Sequence, residues 1–249
     1  MTQVIDTGDP LAAAAVQAVH EGEVDRLRRL LAEHLHLATV RLGGDRPHGN
    51  TRTLLHVATD WPGHFPNGAD TVAALVQAGA DVNARFVGGH AETPLHWAAS
   101  SDDVAVLDAL LDAGADSEAD GGVIGNSTPL ADAVAFGQWN TARRLVERGA
   151  QPKLWQAAGL GLTDLVHALC TADPPPPAEE ITSAFWLARH GGQRATAAYL
   201  LDLGADLNWI GYDQFTSLDA ARRSDAHELA EWLTRHGARS VHEPHPGGS

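Results

Sequence analysis

The side chains in this sequence that could do chemistry are its histidines, a few carboxylates and its tryptophans, with 14 His and 7 Trp in 249 residues. Asp60, His64, His90, Glu92, Asp132 and His190 could ligate a metal or move a proton. Trp61, Phe86, Trp97 and Phe136 could wall a site off from water, and Arg85 adds a cation. Asp60 and His64 have the i, i+4 spacing of ligands on one helix face, but Pro62 and Gly63 lie between them and break such a helix. There is no HExxH run, so no metal is expected, and no cofactor either. An acid/base pair of Asp132 with His64 or His90, in a Trp-walled groove that raises a carboxylate pKa, is chemically possible. No GxSxG or phosphate-cradling glycine motif occurs, and Cys170, at the end of the apolar run DLVHALC, reads as a small buried hydrophobe.

Composition narrows the partners. Lys and Arg number 17 against 32 Asp and Glu, a formal net charge of -15, which works against binding a nucleic acid or an anionic membrane. One cysteine excludes an intrachain disulfide and suits a reducing compartment. The start of the chain has neither a secretory signal nor a spanning helix, so a cytoplasmic protein is expected. One lysine among many arginines, with abundant Ala, Gly and Pro, reads as GC-rich bacterial coding.

The elements that must position these residues come from an internal repeat. TPLHWAA at Thr93–Ala99 recurs in weaker copies, each leading into a second helix and a Gly-Ala-Asp turn. The best pair is TPLHWAASSDDVAVLDALLDAGADSE, from Thr93, and TPLADAVAFGQWNTARRLVERGA, from Thr128. Thr can cap the free N–H groups of a helix whose first turn holds Pro. Ala98 and Ala99 allow close helix packing, and Gly114 suits a left-handed helix end.

These motifs resemble ankyrin repeats, whose period is about 33 residues. The resemblance implies an all-α ankyrin-repeat solenoid of about seven helix-turn-helix units with short β-turn fingers. We place the units near 9–42, 53–83, 93–118, 128–151, 154–173, 178–208 and 216–240, in a single domain over 1–240, with 241–249 a disordered tail. His56 and His96 would hydrogen-bond neighbouring turns. Unit five lacks its finger, and Leu154-Trp155-Gln156-Ala157-Ala158 replaces the LHxAA segment, which puts Gln156 at the position of Trp97. Thr53 to Thr93 is longer than the period, with five extra residues within 60–68; fingers 84–92 and 119–127 carry two more each. Insertions in solenoids map to loops, often on the binding face.

In the family, ligands lie in the concave groove lined by the first helices and the fingers. Carried over, that face holds Asp60, Trp61, His64, Arg85, Phe86, His90, Glu92, Trp97, Asp132 and Phe136, with His190 further on. Trp97 and Asp132 occupy equivalent positions on adjacent units, and Trp97 could equally pack between repeats. Two functions fit. One is a binding module that recognises a protein or peptide through the concave face of units two to four. The other is a small-molecule binder or enzyme whose Trp/Asp/His-lined pocket is closed by the 60–70 insertion and the two fingers, with Asp132, His64 and His90 as candidate catalytic groups.

Overall fold

The computed structural model describes residues 3–43, 49–211, 214–223 and 227–241; the expected tail, from 242 onward, lies outside them. The described residues form fourteen helices and three short strands, grouped into two compact units, 1–151 and 152–249.

In the first unit the helices come in pairs: α1 Pro10–His20 with α2 Val24–Glu33, α3 Leu54–Thr59 with α4 Gly68–Gln77, α5 Pro94–Ser100 with α6 Val104–Asp112, and α7 Pro129–Ala135 with α8 Trp139–Glu147. The first helices pack in one row, α1, α3, α5, α7, and the second helices in another, α2, α4, α6, α8. Helices this short are unstable alone. What holds them is the leucine layer between the rows: Leu54, Leu75, Leu95, Leu107, Leu110, Leu130 and Leu145 are all buried.

The TPLH motif explains the start of α5 and, with Leu in place of Pro, that of α3. Thr93 is extended (φ -91°, ψ 167°) at the N-cap of α5, with Pro94 in the first turn. Its backbone N–H donates to His96 Nδ1 at 3.1 Å, and His96 Nε2 reaches Ser127 O of the following finger at 3.1 Å. His56 repeats the arrangement, with Thr53 N at 3.3 Å and Glu92 O at 3.1 Å. Each motif histidine therefore joins its own helix start to the next finger, as expected from the resemblance. Gly114 ends α6 in the left-handed region, φ +92°, and Ala115 N–H closes back on Leu110 O at 2.9 Å.

The fingers add a β component absent from the helical reading. β1 Val4–Asp6 runs parallel to β2 Arg41–Gly43, which pairs antiparallel with β3 Thr51–Arg52. The edge continues into finger 84–92: Thr51 and Val87 exchange backbone hydrogen bonds at 2.9 and 3.0 Å, and Ala91 N–H donates to Gly121 O at 3.1 Å. Lateral pairing satisfies backbone groups that would otherwise need water.

The second unit contains α9 Leu154–Leu160, α10 Thr163–Cys170, α11 Ala178–His190, α12 Arg194–Asp202, α13 Ser217–Arg223 and α14 His227–Arg235. Its core is built on Phe185, Ala188, Leu200, Leu218 and Leu233. The structure shifts the expected register of α9 by one residue: Lys153 is its N-cap, so Gln156 replaces the motif histidine and does not stand at the Trp97 position, and its Oε1 accepts Lys153 N–H at 2.6 Å.

Candidate interaction surface

Three features of the first unit build this face: the row α3, α5, α7, the insertion before α4, and fingers 84–92 and 119–127. α3 stops at Thr59 and α4 starts at Gly68, so Asp60 and His64 share no helix, as Pro62 and Gly63 dictate. The insertion is a strap held on both sides. Phe65 stacks on His20 at 4.6 Å, Asn67 Nδ2 donates to Gly22 O at 3.0 Å, and Gly22 leaves no room for a Cβ against Pro66. On the other side His64 N–H donates to Asp103 Oδ2 at 2.8 Å, and its Nε2 lies 3.0 Å from Ser101 O. Asp60 pairs with Arg52. Trp61, at the start of this clamped strap, is 79% exposed.

Finger 84–92 folds over α3 and α5. Phe86 lies 5.4 Å from Trp97, and Trp97 lies edge-on to His56 at 5.0 Å. Trp97 is thus half-covered by packing between repeats; burial pushes the pKa of the neighbouring Glu92 carboxyl up, and the indole of Trp97 lowers it. Arg85 ties this finger to the next, reaching Ala91 O at 3.2 Å, the Asp120 carbonyl, and the Asp120 carboxylate at 2.8 Å. Arg41 does the same one step back, bonding Thr51 Oγ1 at 2.7 Å, Thr51 O at 3.1 Å and the Arg85 carbonyl.

Finger 119–127 is fastened by Asp132. This side chain has no exposed surface; its Oδ1 accepts Ile124 N–H at 3.0 Å and its Oδ2 accepts Val123 N–H at 3.2 Å. Gly122 permits the approach, since a Cβ there would lie 2.7 Å from Asp132 Oδ2. Burial pushes the Asp132 carboxyl up to about 6; the two N–H groups oppose the shift, the nearby Glu92 charge adds to it, and His90 subtracts from it. The motif histidines are driven the other way, to about 4 each, chiefly by burial.

Glu92, Trp97, Asp132 and the exposed His90 therefore meet at the fingers. His64 is held at the opposite end of α5, by the turn into α6, and His190 belongs to the second unit, where it stacks on Trp186 at 5.5 Å. Phe136, closing α7, is 46% exposed. It is the counterpart of Trp61, each lying eight residues past its motif Thr. Among the described residues no group of three His, Cys, Asp or Glu is disposed to hold a metal, and no helix is long and apolar enough to cross a membrane.

Two residues were not picked out by the motif comparison. Arg41 and Arg52 precede or fall between the recognisable copies. Asp102, held at φ +55°, turns out to cap the helix of the next repeat: its Oδ1 accepts Asn140 N–H at 3.1 Å and Thr141 N–H at 2.9 Å. Its neighbour Asp103 caps α6 through Val106 N–H at 3.2 Å. The doubled acid at a helix start reads in the sequence as helix capping, which both residues perform, though Asp102 does so for the neighbouring repeat.

Comparison with known proteins agrees with this architecture. The family described as ankyrin repeats (three copies) matches residues 67–154. A curated relative, "Palmitoyltransferase AKR1" of Candida albicans, is 34% identical over 129 residues, covering 47% of this chain but only 14% of that protein. With paired helices, capped TPLH starts and hydrogen-bonded fingers, residues 67–154 are the stretch of the chain that matches the ankyrin-repeat family.

Proposed function

We propose that the first unit is a protein-binding module whose docking face is formed by α3, α5, α7, the strap 60–68 and the fingers 84–92 and 119–127. Ankyrin repeats serve generally in protein interaction. The observation that carries the assignment to this face is a contrast within it. The backbone is heavily tied down, through Asp132, Arg85, Arg41 and His64, while the apolar side chains Trp61, Val87, Val123 and Phe136 stay open. A rigid scaffold with exposed aromatic anchors loses little conformational entropy on binding.

In this reading Asp132 and Glu92 are positioning residues. Neither side chain is available to a docked partner; Asp132 acts through the finger it holds, and Glu92 lies beside the indole of Trp97. Trp97 lies beneath the finger as part of the floor, with Asp60 and Arg52 at the foot of Trp61. The geometry favours this over a catalytic pocket, because Asp132 spends both oxygens on backbone N–H groups and His64 stands at the far end of α5 from His90.

The test is comparative capture from the source cell lysate by the full chain, by the variant Trp61→Ala with Phe136→Ala, and by Arg143→Ala on an exposed site of α8. Proteins retained by the unsubstituted chain and by Arg143→Ala should be lost from the double variant. An identical set on all three would remove the docking face from this surface.

A further inference from the structure

Residues 60–132 contain twelve Asp and Glu and a single basic residue, Arg85, and the open apolar side chains Trp61, Val87 and Val123 lie in the same stretch, with Phe136 just beyond. We propose that the polypeptide segment received by this face is cationic, carrying Arg or Lys beside apolar side chains. The proposal rests on the docking-face reading and adds the chemistry of the partner to it.

Apolar area alone would not choose a partner; the charge around it does. Asp108 and Asp112 are matched by Arg144 and Arg148 on the outer row, Asp60 by Arg52 and Asp120 by Arg85. The other eight carboxylates of the stretch form no ion pair among the described residues. Asp81, Asp116 and Glu118 stand exposed at the bases of the fingers. Asp81 and Asp116 each accept a backbone N–H, at 2.9 Å, which orients the carboxylate and leaves its charge in place. Behind the fingers, Glu92 and Asp132 add negative charge in a region that salt screens poorly.

An anionic segment would meet repulsion here from several directions. A purely apolar one would gain burial alone. A cationic segment gains the same burial, faster electrostatically steered encounter and a ring to rest on, since the exposed indole of Trp61 presents the π-face that guanidinium and ammonium groups prefer.

The test is selection of random peptides displayed on phage against the immobilised full chain, followed by synthesis of enriched peptides and titration. The expected peptides carry excess Arg or Lys with aromatic or aliphatic residues. Their affinity should fall roughly tenfold as salt rises from about 0.05 to about 0.3 M, as an electrostatic contact requires. It should fall by at least as much with Trp61→Ala plus Phe136→Ala, whose folding is checked by circular dichroism. Peptides that need Trp61 and Phe136 but show no excess positive charge would overturn the cationic partner and leave the docking face standing. Peptides indifferent to those substitutions, or a library that enriches none, would overturn both.

Discussion

Replacing His96 by Gln should make the repeats markedly less sensitive to acid. His96 Nδ1 accepts the Thr93 N–H, so the neutral ring carries its hydrogen on Nε2, facing Ser127 O. Protonation at Nδ1 would destroy that acceptor inside the core, and burial lowers the pKa to about 4, from 6.5. A histidine whose folded pKa is depressed contributes stability present above the unfolded pKa and lost as pH falls below it. Between pH 8 and pH 5 that loss is about 2 kcal/mol for His96, and about the same for His56, whose pKa is also about 4. Asp132 opposes it. With a folded pKa raised from 3.8 to about 6, it favours the folded state as pH drops, by about 1.4 kcal/mol at pH 5. The net expectation is a loss of about 2.5 kcal/mol for the unsubstituted chain, against about 0.5 kcal/mol for His96→Gln. Gln fits the site, because Gln156 makes the equivalent capping bond in the second unit at 2.6 Å. Hydrogen exchange of the α5–α7 amides, corrected for intrinsic rates, reads the opening free energy at each pH. Equal pH slopes in the two proteins would refute the neutral, buried histidine on which the reasoning depends.

Three further substitutions separate the parts of the scaffold. Asp132→Ala strands the Val123 and Ile124 N–H groups, so finger 119–127 should be cut by proteinase K roughly tenfold faster; unchanged cutting would mean that Asp132 does not hold it. The global cost should be modest, near 1 kcal/mol, because the substitution also removes a buried charge. Asp102→Ala should lose about 1–2 kcal/mol in urea unfolding, from a missing cap and a strained φ, whereas Asp102→Asn recovers most of it; equal losses would argue against the cap. Leu107→Ala, at a fully buried position, should cost about 2–5 kcal/mol, and a smaller loss would indicate a core that collapses around the gap.

Much of the helical framework was legible because the repeat writes the same physics several times. Thr-Pro marks the caps of α5 and α7, paired alanines mark close packing in α5 and α9, and Gly-Ala-Asp marks the turns at 79–81, 114–116 and 204–206. Comparing copies also located the insertion between α3 and α4, since a fixed period makes extra residues countable. The strands at Arg41–Gly43 and Thr51–Arg52 were not legible, because they are short and are stabilised by backbone pairing with each other, with Val4–Asp6 and with Val87 of the finger, which no side-chain pattern announces.

The structure brings Glu92, His90, Trp97 and Asp132 together at the fingers, in surroundings that the repeat pattern did not specify. Trp97 and Asp132 stood out because they break the repeat pattern. Equivalent positions did not imply equivalent surroundings: a longer finger folds down on each, so Asp132 became a buried acceptor and Trp97 a half-covered floor. Trp61 and Phe136, at the ends of their helices where no finger reaches, stayed open. Finger conformation is a tertiary property that helix periodicity does not encode.

Site-specific photocrosslinking in the source cell tests the central claim most directly. With benzoylphenylalanine placed at position 61 or 136 of the full chain, protein adducts should form at both, and none should form from the same probe at position 143 on the outer row. Adducts confined to position 143, with none at 61 or 136, would contradict the docking face proposed for the first unit.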